Sequence, residues 1–288
     1  MTVIAQALVN GLMIGGVYAL VAIGLTLIFG VMRIINFAHG EFVMLGAYVS
    51  YWLFIWYKVD PFLSLLATSL LLGPLGWALQ KFLVARVLKA DHLNQILLTL
   101  GVSITLQNLA LVAFSADYVS VNTAYTSASV HLGPLTIGLT RGLAFLVSLA
   151  FSGGLYLSLT RTELGRTLRA VAQNRDSATL VGIDVEQTYL IAFALAGALA
   201  GAAGALTSVL VYTFPRVGFS YVTKAFAVVV LGGLGSVPGA FLGSMILGVT
   251  ESLVGSFIPA GGGWAEGASF ALIILTLLVK PKGIFGVD

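Results

Sequence analysis

Runs of about 20 mostly apolar residues, the length that crosses a bilayer as a helix, recur from one end of this chain to the other. They fall near 8–31, 42–57, 61–84, 95–115, 141–160, 188–212 and 239–257, with shorter runs near 222–232 and 266–280. Composition points to the same solvent: 59% of the 288 residues are hydrophobic and 9% are charged, where soluble domains carry about 45–50% and 25%. The expected fold is an all-α polytopic membrane protein of about 8–9 helices, read as a single unit over 1–288.

Lys and Arg gather in the cytoplasmic connections of membrane proteins. With the N-terminus outside and the C-terminus inside, the inner connections hold Arg33, Lys81, Arg86, Lys89, Arg161, Arg166, Arg169, Arg175, Lys280 and Lys282. The outer ones hold Lys58, Arg141, Arg216 and Lys224. This bias requires an odd number of crossings, which nine elements satisfy when 222–232 counts as one. The first residues carry no basic region and the apolar run from Leu8 continues too far for a removable signal, so the first helix is expected to be retained. The absence of cysteine excludes disulfides and cysteine metal sites. The pI near 9.2 reflects the inner-loop bases. No basic-aromatic interleaving suggests a nucleic-acid partner.

Small residues at four-residue spacing, Gly11 and Gly15, Gly197 and Gly201, Gly239 and Gly243, are read as close helix contacts. The outer connection 116–140, nearly uncharged, forms either a short hairpin or an ordinary external loop. Leu231-Gly-Gly-Leu-Gly-Ser-Val-Pro-Gly239 stops any helix. It is either a plain inner turn or an interrupted helix on a transport pathway, which makes Gly232, Gly233 and Gly235 candidate gating positions. Asn36-Phe-Ala-His-Gly-Glu41 is a second polar break, and Asn36, His39 and Glu41 are given an inner-edge structural or gating role. With three His and no Cys, a metal site there is discounted.

The stretch 161–187 differs from a simple connector. Leu164, Leu168, Val171 and Ala172 share one helical face, with Arg166, Arg169 and Gln173 elsewhere. Asn174 or Asp176 can cap a further short turn, Gly182 supplies a left-handed stop, and Asp184-Val-Glu-Gln187 has the form of a capping box. So short a helix does not hold together alone in water, so it packs either on another protein or in the headgroup layer. Its four acids, Glu163, Asp176, Asp184 and Glu186, offset its arginines and weaken the lipid reading.

Arg169-Ala-Val-Ala-Gln-Asn-Arg-Asp-Ser-Ala-Thr-Leu-Val-Gly-Ile-Asp184 resembles the cytoplasmic loop of ABC importer permeases of the branched-chain amino acid family. Asn10-Gly-Leu-Met-Ile-Gly-Gly-Val-Tyr-Ala-Leu20, Gly30-Val-Met-Arg-Ile-Ile-Asn-Phe-Ala-His-Gly-Glu41 and Val230-Leu-Gly-Gly-Leu-Gly-Ser-Val-Pro-Gly-Ala240 are similar to its H-type (LivH-like) subunit. The resemblance implies a permease of a bacterial or archaeal plasma membrane and a loop 161–187 that docks on an ATPase. Arg169, Asn174, Arg175, Ala178, Gly182 and Asp184 would be the coupling contacts. It also implies two ATP-binding subunits, a second and different permease subunit, and a periplasmic or lipid-anchored solute-binding protein. The chain carries no Gly-Xaa4-Gly-Lys-Ser/Thr phosphate loop, so no cofactor is expected on it. ATP and Mg would be handled by the partners, and no catalytic residue is expected. A bulky charge at Ala178 or Gly182 is expected to block docking without loss of expression.

Glu251 falls inside a span, where an ionised group costs about 2.5–3.5 kcal/mol. It is either a pathway or helix-anchoring carboxylate or a group near the outer interface. Gln107 and Asn108 are read as bonding across helices. A secondary transporter or channel, with Glu251 and the broken helices as working parts, is the alternative class. Urea or an amide is the alternative cargo within the same family. The capped loop favours the subunit that borrows energy.

Overall fold

A computed structural model describes residues 2–259 and 261–286. The chain order is α1 Thr2–Met32, α2 His39–Tyr57, α3 Pro61–Leu79, α4 Ala85–Val87, α5 His92–Phe114, β1 Ser129–Leu132, β2 Leu135–Gly138, α6 Leu139–Arg161, α7 Glu163–Gln173, α8 Arg175–Leu180, α9 Val185–Leu210, α10 Val217–Gly232, α11 Val237–Phe257 and α12 Gly261–Val279. A π turn, Gln80–Val84, joins α3 to α4. Among the described residues six helices are long and apolar enough to cross a membrane: α1, α3 with its continuation to Val87, α5, α6, α9 and α11. The shorter apolar α10 and α12 match the two short runs in the sequence, and α2 completes the set. The protein is an all-α polytopic membrane protein with one small β element.

The centre belongs to α1 and α9, whose residues are mostly buried, while α5 is the most exposed of the long helices. Both central helices pack through small residues. A Cβ on Gly197 of α9 would lie 2.5 Å from the Leu72 carbonyl of α3, and one on Gly11 of α1 would lie 2.5 Å from the Val249 Cα of α11. Dispersion between closely approached backbones holds such helices together where lipid removes the hydrophobic drive. The spacing read from the sequence is therefore realised as contact at both sites.

The connection 116–140 forms the hairpin: β1 and β2 pair antiparallel, Ser129 opposite Gly138 and Leu132 opposite Leu135. It holds the start of α1, because Gln6 Nε2 donates to the Thr136 carbonyl at 2.7 Å and Thr136 N–H donates back to Gln6 Oε1 at 2.9 Å. Nearby, the Tyr125 hydroxyl donates to Asp60 at 2.6 Å. Burial, with the Asp60 carboxylate beside it, pushes this phenol up to about 12.

Of the two readings of 231–239, the geometry is that of a tight turn. α10 stops at Gly232; Gly233 and Gly235 take φ of 101° and 85°, and Ser236 Oγ accepts from Gly239 N–H to start α11. Carbonyls left bare at the end of α10 are taken by the segment after α12, with Ile284 N–H donating to Leu231 at 2.9 Å and Phe285 N–H to Gly232 at 3.0 Å.

Residues 33–38 contain the deeper break. They run without helix from Arg33, at φ 57°, to Ala38. α2 then begins beside the middle of α1, since His39 Nε2 lies 2.9 Å from the Val21 carbonyl. Val21 is about 16 Å of helix from Met32. Asn36, His39 and Glu41, the polar residues of this break, are all buried among the helices. A correction concerns Lys224, counted from sequence among the outer connections. It lies inside α10, because that helix begins at Val217 and the apolar run was placed too late.

Candidate functional site

The polar loop folds as its local signals require. The Thr162 hydroxyl accepts from Gly165 N–H at 3.2 Å to start α7. Asn174 ends α7, and its Oδ1 accepts from Ser177 N–H at 2.9 Å to start α8. Gly182, at φ 85°, turns the chain, and Asp184 Oδ1 accepts from Gln187 N–H at 2.9 Å to start α9. Each bond removes one of the bare donors of a helix start. Leu168 and Val171 are buried against the bundle while Leu164, at the first turn, stays open. Arg166 pairs with Glu163 at 3.3 Å on an exposed surface.

Among the expected contact residues, Asn174, Arg175, Gly182, Asp184 and Arg169 are exposed, and Ala178 is 3% exposed. Ala178 packs inward while its carbonyl accepts from Ile183 N–H at 3.0 Å. An arginine there would have to displace packing, so its effect on expression would not be neutral. The side chains of Asn174 and Asp184 are occupied in capping. The Arg175 guanidinium sits 5.9 Å from the ring centre of Tyr189. Sequence reasoning did not single out Leu180 and Val181, which stand 87% and 76% exposed at the tip. Their signal was available: two large apolar residues directly before a left-handed glycine.

Deep in the bundle, Glu251 of α11 gathers three other helices. Its Oε2 accepts from Tyr18 of α1 at 2.7 Å and from the Lys224 ammonium of α10 at 2.9 Å, and its Oε1 accepts from Ser269 of α12 at 2.7 Å. Lys224 also donates to the Tyr18 hydroxyl at 2.8 Å. Glu251 is 7% exposed, and both of its oxygens are hydrogen-bonded. The sequence reading missed Tyr18, Lys224 and Ser269, although a lysine in an apolar helix is itself a sign that a buried acid waits nearby.

Glu41 is wholly buried on α2. Its Oε1 accepts from Ser103 at 2.9 Å and from Gln107 Nε2 at 2.7 Å, both on α5, while Oε2 has no hydrogen-bond partner among the described residues. Gln107 thus bonds across helices as read, whereas Asn108 donates to the Ile104 carbonyl of its own helix. Gln107 and Asn108 also line a cleft of 330 Å³ with Tyr118, Phe214 and Arg216. Asn36 closes a local turn on Ala38 N–H at 3.1 Å. The turn residues Gly232 and Gly233 lie against Gly239 and Gly286, and Gly235 lies against Gly30, away from both carboxyl groups.

Apolar helices joined by glycine contacts and enclosing buried ion-pair chemistry define a multi-pass membrane protein. Residues 7–278 match the family described as branched-chain amino acid transport system, permease component. The chain is 32% identical over 301 residues to the high-affinity branched-chain amino acid transport system permease protein LivH of Salmonella typhimurium (strain LT2), covering 98% of this chain and 95% of that one. It is also 32% identical over 279 residues to a probable branched-chain amino acid transport permease protein LivH of Methanocaldococcus jannaschii, covering 93% and 88%. Among solved structures, PsaBC from Streptococcus pneumoniae in complex with Fab shares the fold with a TM-score of 0.51 at 13% identity, over 96% of this chain and 92% of that one. The chain belongs to the branched-chain amino acid ABC transport permease family, LivH-like, and is a multi-pass protein of the plasma membrane.

Proposed function

We propose that the chain is one membrane-spanning subunit of an ATP-driven importer for branched-chain amino acids. It acts as a single permease domain, lines the translocation pathway with a second permease subunit, and takes its driving force through residues 161–187. In this reading the N-terminus is outside, and both the loop and the C-terminus are cytoplasmic. Two ATPase subunits hold ATP and Mg, and a solute-binding protein delivers the cargo. The observation that carries the reading is the tip of the loop: Leu180 and Val181 stand 87% and 76% exposed at the end of the mini-helix α8, whose start is capped by Asn174. A patch of this kind in an otherwise polar loop marks a protein contact. Its capping bonds and the inward packing of Leu168, Val171 and Ala178 make the tip a stiff extension of α9. A push on the tip is therefore passed to the helix that touches α1, α2 and α3.

Asn174, Gly182 and Asp184 shape the tip, and Arg169 and Arg175 flank it. Glu41 and its neighbours Asn36 and His39 are the gating group of the pathway, a reading supported by one carboxyl oxygen of Glu41, Oε2, lacking a hydrogen-bond partner among the described residues while Gln107, which bonds the other, also lines a cleft. The test is Leu180→Asp with Val181→Asp in the assembled transporter in liposomes. Expected is loss of nucleotide-driven leucine uptake and of ATPase binding, with the permease still folded. Uptake retained by the double variant, or uptake by the wild-type chain without nucleotide or partners, overturns the reading.

A further inference from the structure

α6 and α11 run side by side over α1 yet scarcely touch, leaving a groove between them. Two pockets of 340 and 210 Å³ make up this groove and share Tyr156, Val237 and Pro238. On the α6 wall Gly153 leaves room, since a Cβ placed there meets nothing within 4 Å. Its walls open sideways through Leu149, Tyr156 and Leu242, each of them 43–46% exposed. From Leu149 to Thr160 the groove follows about 16 Å of α6, close to the half-thickness of a hydrocarbon core of about 30 Å.

One end differs in chemistry from the rest. There the exposed Arg169 of α7, which makes no ion pair among the described residues, meets the start of α11 at Ser236 and Val237. A helix start carries partial positive charge. The lining also holds Thr26 of α1, fully buried, whose Oγ1 has no hydrogen-bond partner. An orphaned hydroxyl, a guanidinium with no ion pair among the described residues and a helix start, all lining one cleft, are a set of donors for an oxyanion. The remainder of the groove is mostly apolar, with the Tyr156 phenol and the unpartnered Ser152 hydroxyl on its lining.

We propose that this groove is a binding site for one anionic phospholipid from the leaflet on the Arg169 side. The phosphate sits at Arg169, Thr26 and the start of α11. One acyl chain fills the channel over Gly153. Charge at one end, apolar surface along the rest and a length of one leaflet are the three properties of such a lipid.

The experiment is native mass spectrometry of the purified transporter in defined nanodiscs, with phosphatidylglycerol or phosphatidylcholine as the probe. Expected is retention of phosphatidylglycerol over phosphatidylcholine by the wild type. Arg169→Gln lowers that retention about tenfold, the loss of one charge-assisted hydrogen bond, and Gly153→Phe removes bound lipid of both kinds. Inorganic phosphate at millimolar concentration leaves the bound lipid in place. Equal retention of the two lipids by wild type and Arg169→Gln overturns the proposal, as does displacement by phosphate. So does a disulfide or crosslink from Gly153→Cys to a second permease subunit, which would mean that protein covers the groove. Should Gly153→Phe fail to fold, photo-crosslinking of wild type with an acyl-labelled phosphatidylglycerol decides: label on 149–160 supports the site, and label spread evenly over the exposed helices refutes it.

Discussion

Glu251 and Glu41 are both carboxyl side chains enclosed by helices, and their surroundings differ in kind. Glu251 meets a lysine ammonium, a tyrosine and a serine, and both of its oxygens are used. Glu41 meets only the neutral donors Ser103 and Gln107, both on one oxygen, and both from the long helix that is otherwise most exposed. The first arrangement pins α1, α10, α11 and α12 at one point. The second ties α2 to α5 through two hydrogen bonds and leaves an acceptor in reserve. A buried charge pair is costly to break because the survivor is left without compensation, whereas neutral hydrogen bonds exchange more cheaply. Glu251 thus has both oxygens committed to partners, whereas Glu41 keeps one oxygen without a hydrogen-bond partner among the described residues.

The contrast can be broken most sharply at Lys224. Lys224→Ala leaves the Glu251 charge alone in the bundle, and about 3–5 kcal/mol of stability should be lost. Unfolding in mixed micelles would register this, and Lys224→Met combined with Glu251→Gln should recover most of it. A loss that simply adds in the double variant would show that the two side chains are not a pair. At the other carboxyl, Gln107→Leu removes one donor and should cost about 1–3 kcal/mol, with the change in protection from hydrogen exchange confined to α2 and α5. Spread of that change to α11 and α12 would erase the distinction between the two regions. The smallest effect belongs to Tyr18→Phe, about 0.5–1.5 kcal/mol, because Lys224 and Ser269 remain on Glu251. A larger loss would make the tyrosine, and not the lysine, the centre of that group.

What the sequence could show divides along the same line. The apolar helices and the caps at Asn174, Gly182 and Asp184 were legible because their causes are local: solvent sets a span, and a side chain reaches an N–H three residues on. Glycine pairs were legible as close contacts, although spacing alone does not name the partner, and Gly11 turned out to meet α11. Partners of Glu251 were not legible, since Tyr18 lies at the other end of the chain and only the fold brings them together. Lys224 was lost to a helix start placed too late, because α10 opens on Val217-Gly-Phe-Ser, whose glycine and serine dilute the apolar run. The burial of His39 against Val21 was not legible either, because the unwound residues 33–38 do not reveal that the chain turns back along α1.

The two hydrogen bonds that Ile284 and Phe285 give to the end of α10 also carry a consequence for biosynthesis. At about 5–20 residues per second, the ribosome needs roughly 3–10 s after delivering Gly232 before those two donors exist. Until then the Leu231 and Gly232 carbonyls lack the partners they have in the folded chain, so the end of α10 is completed only after α11 and α12 have been made.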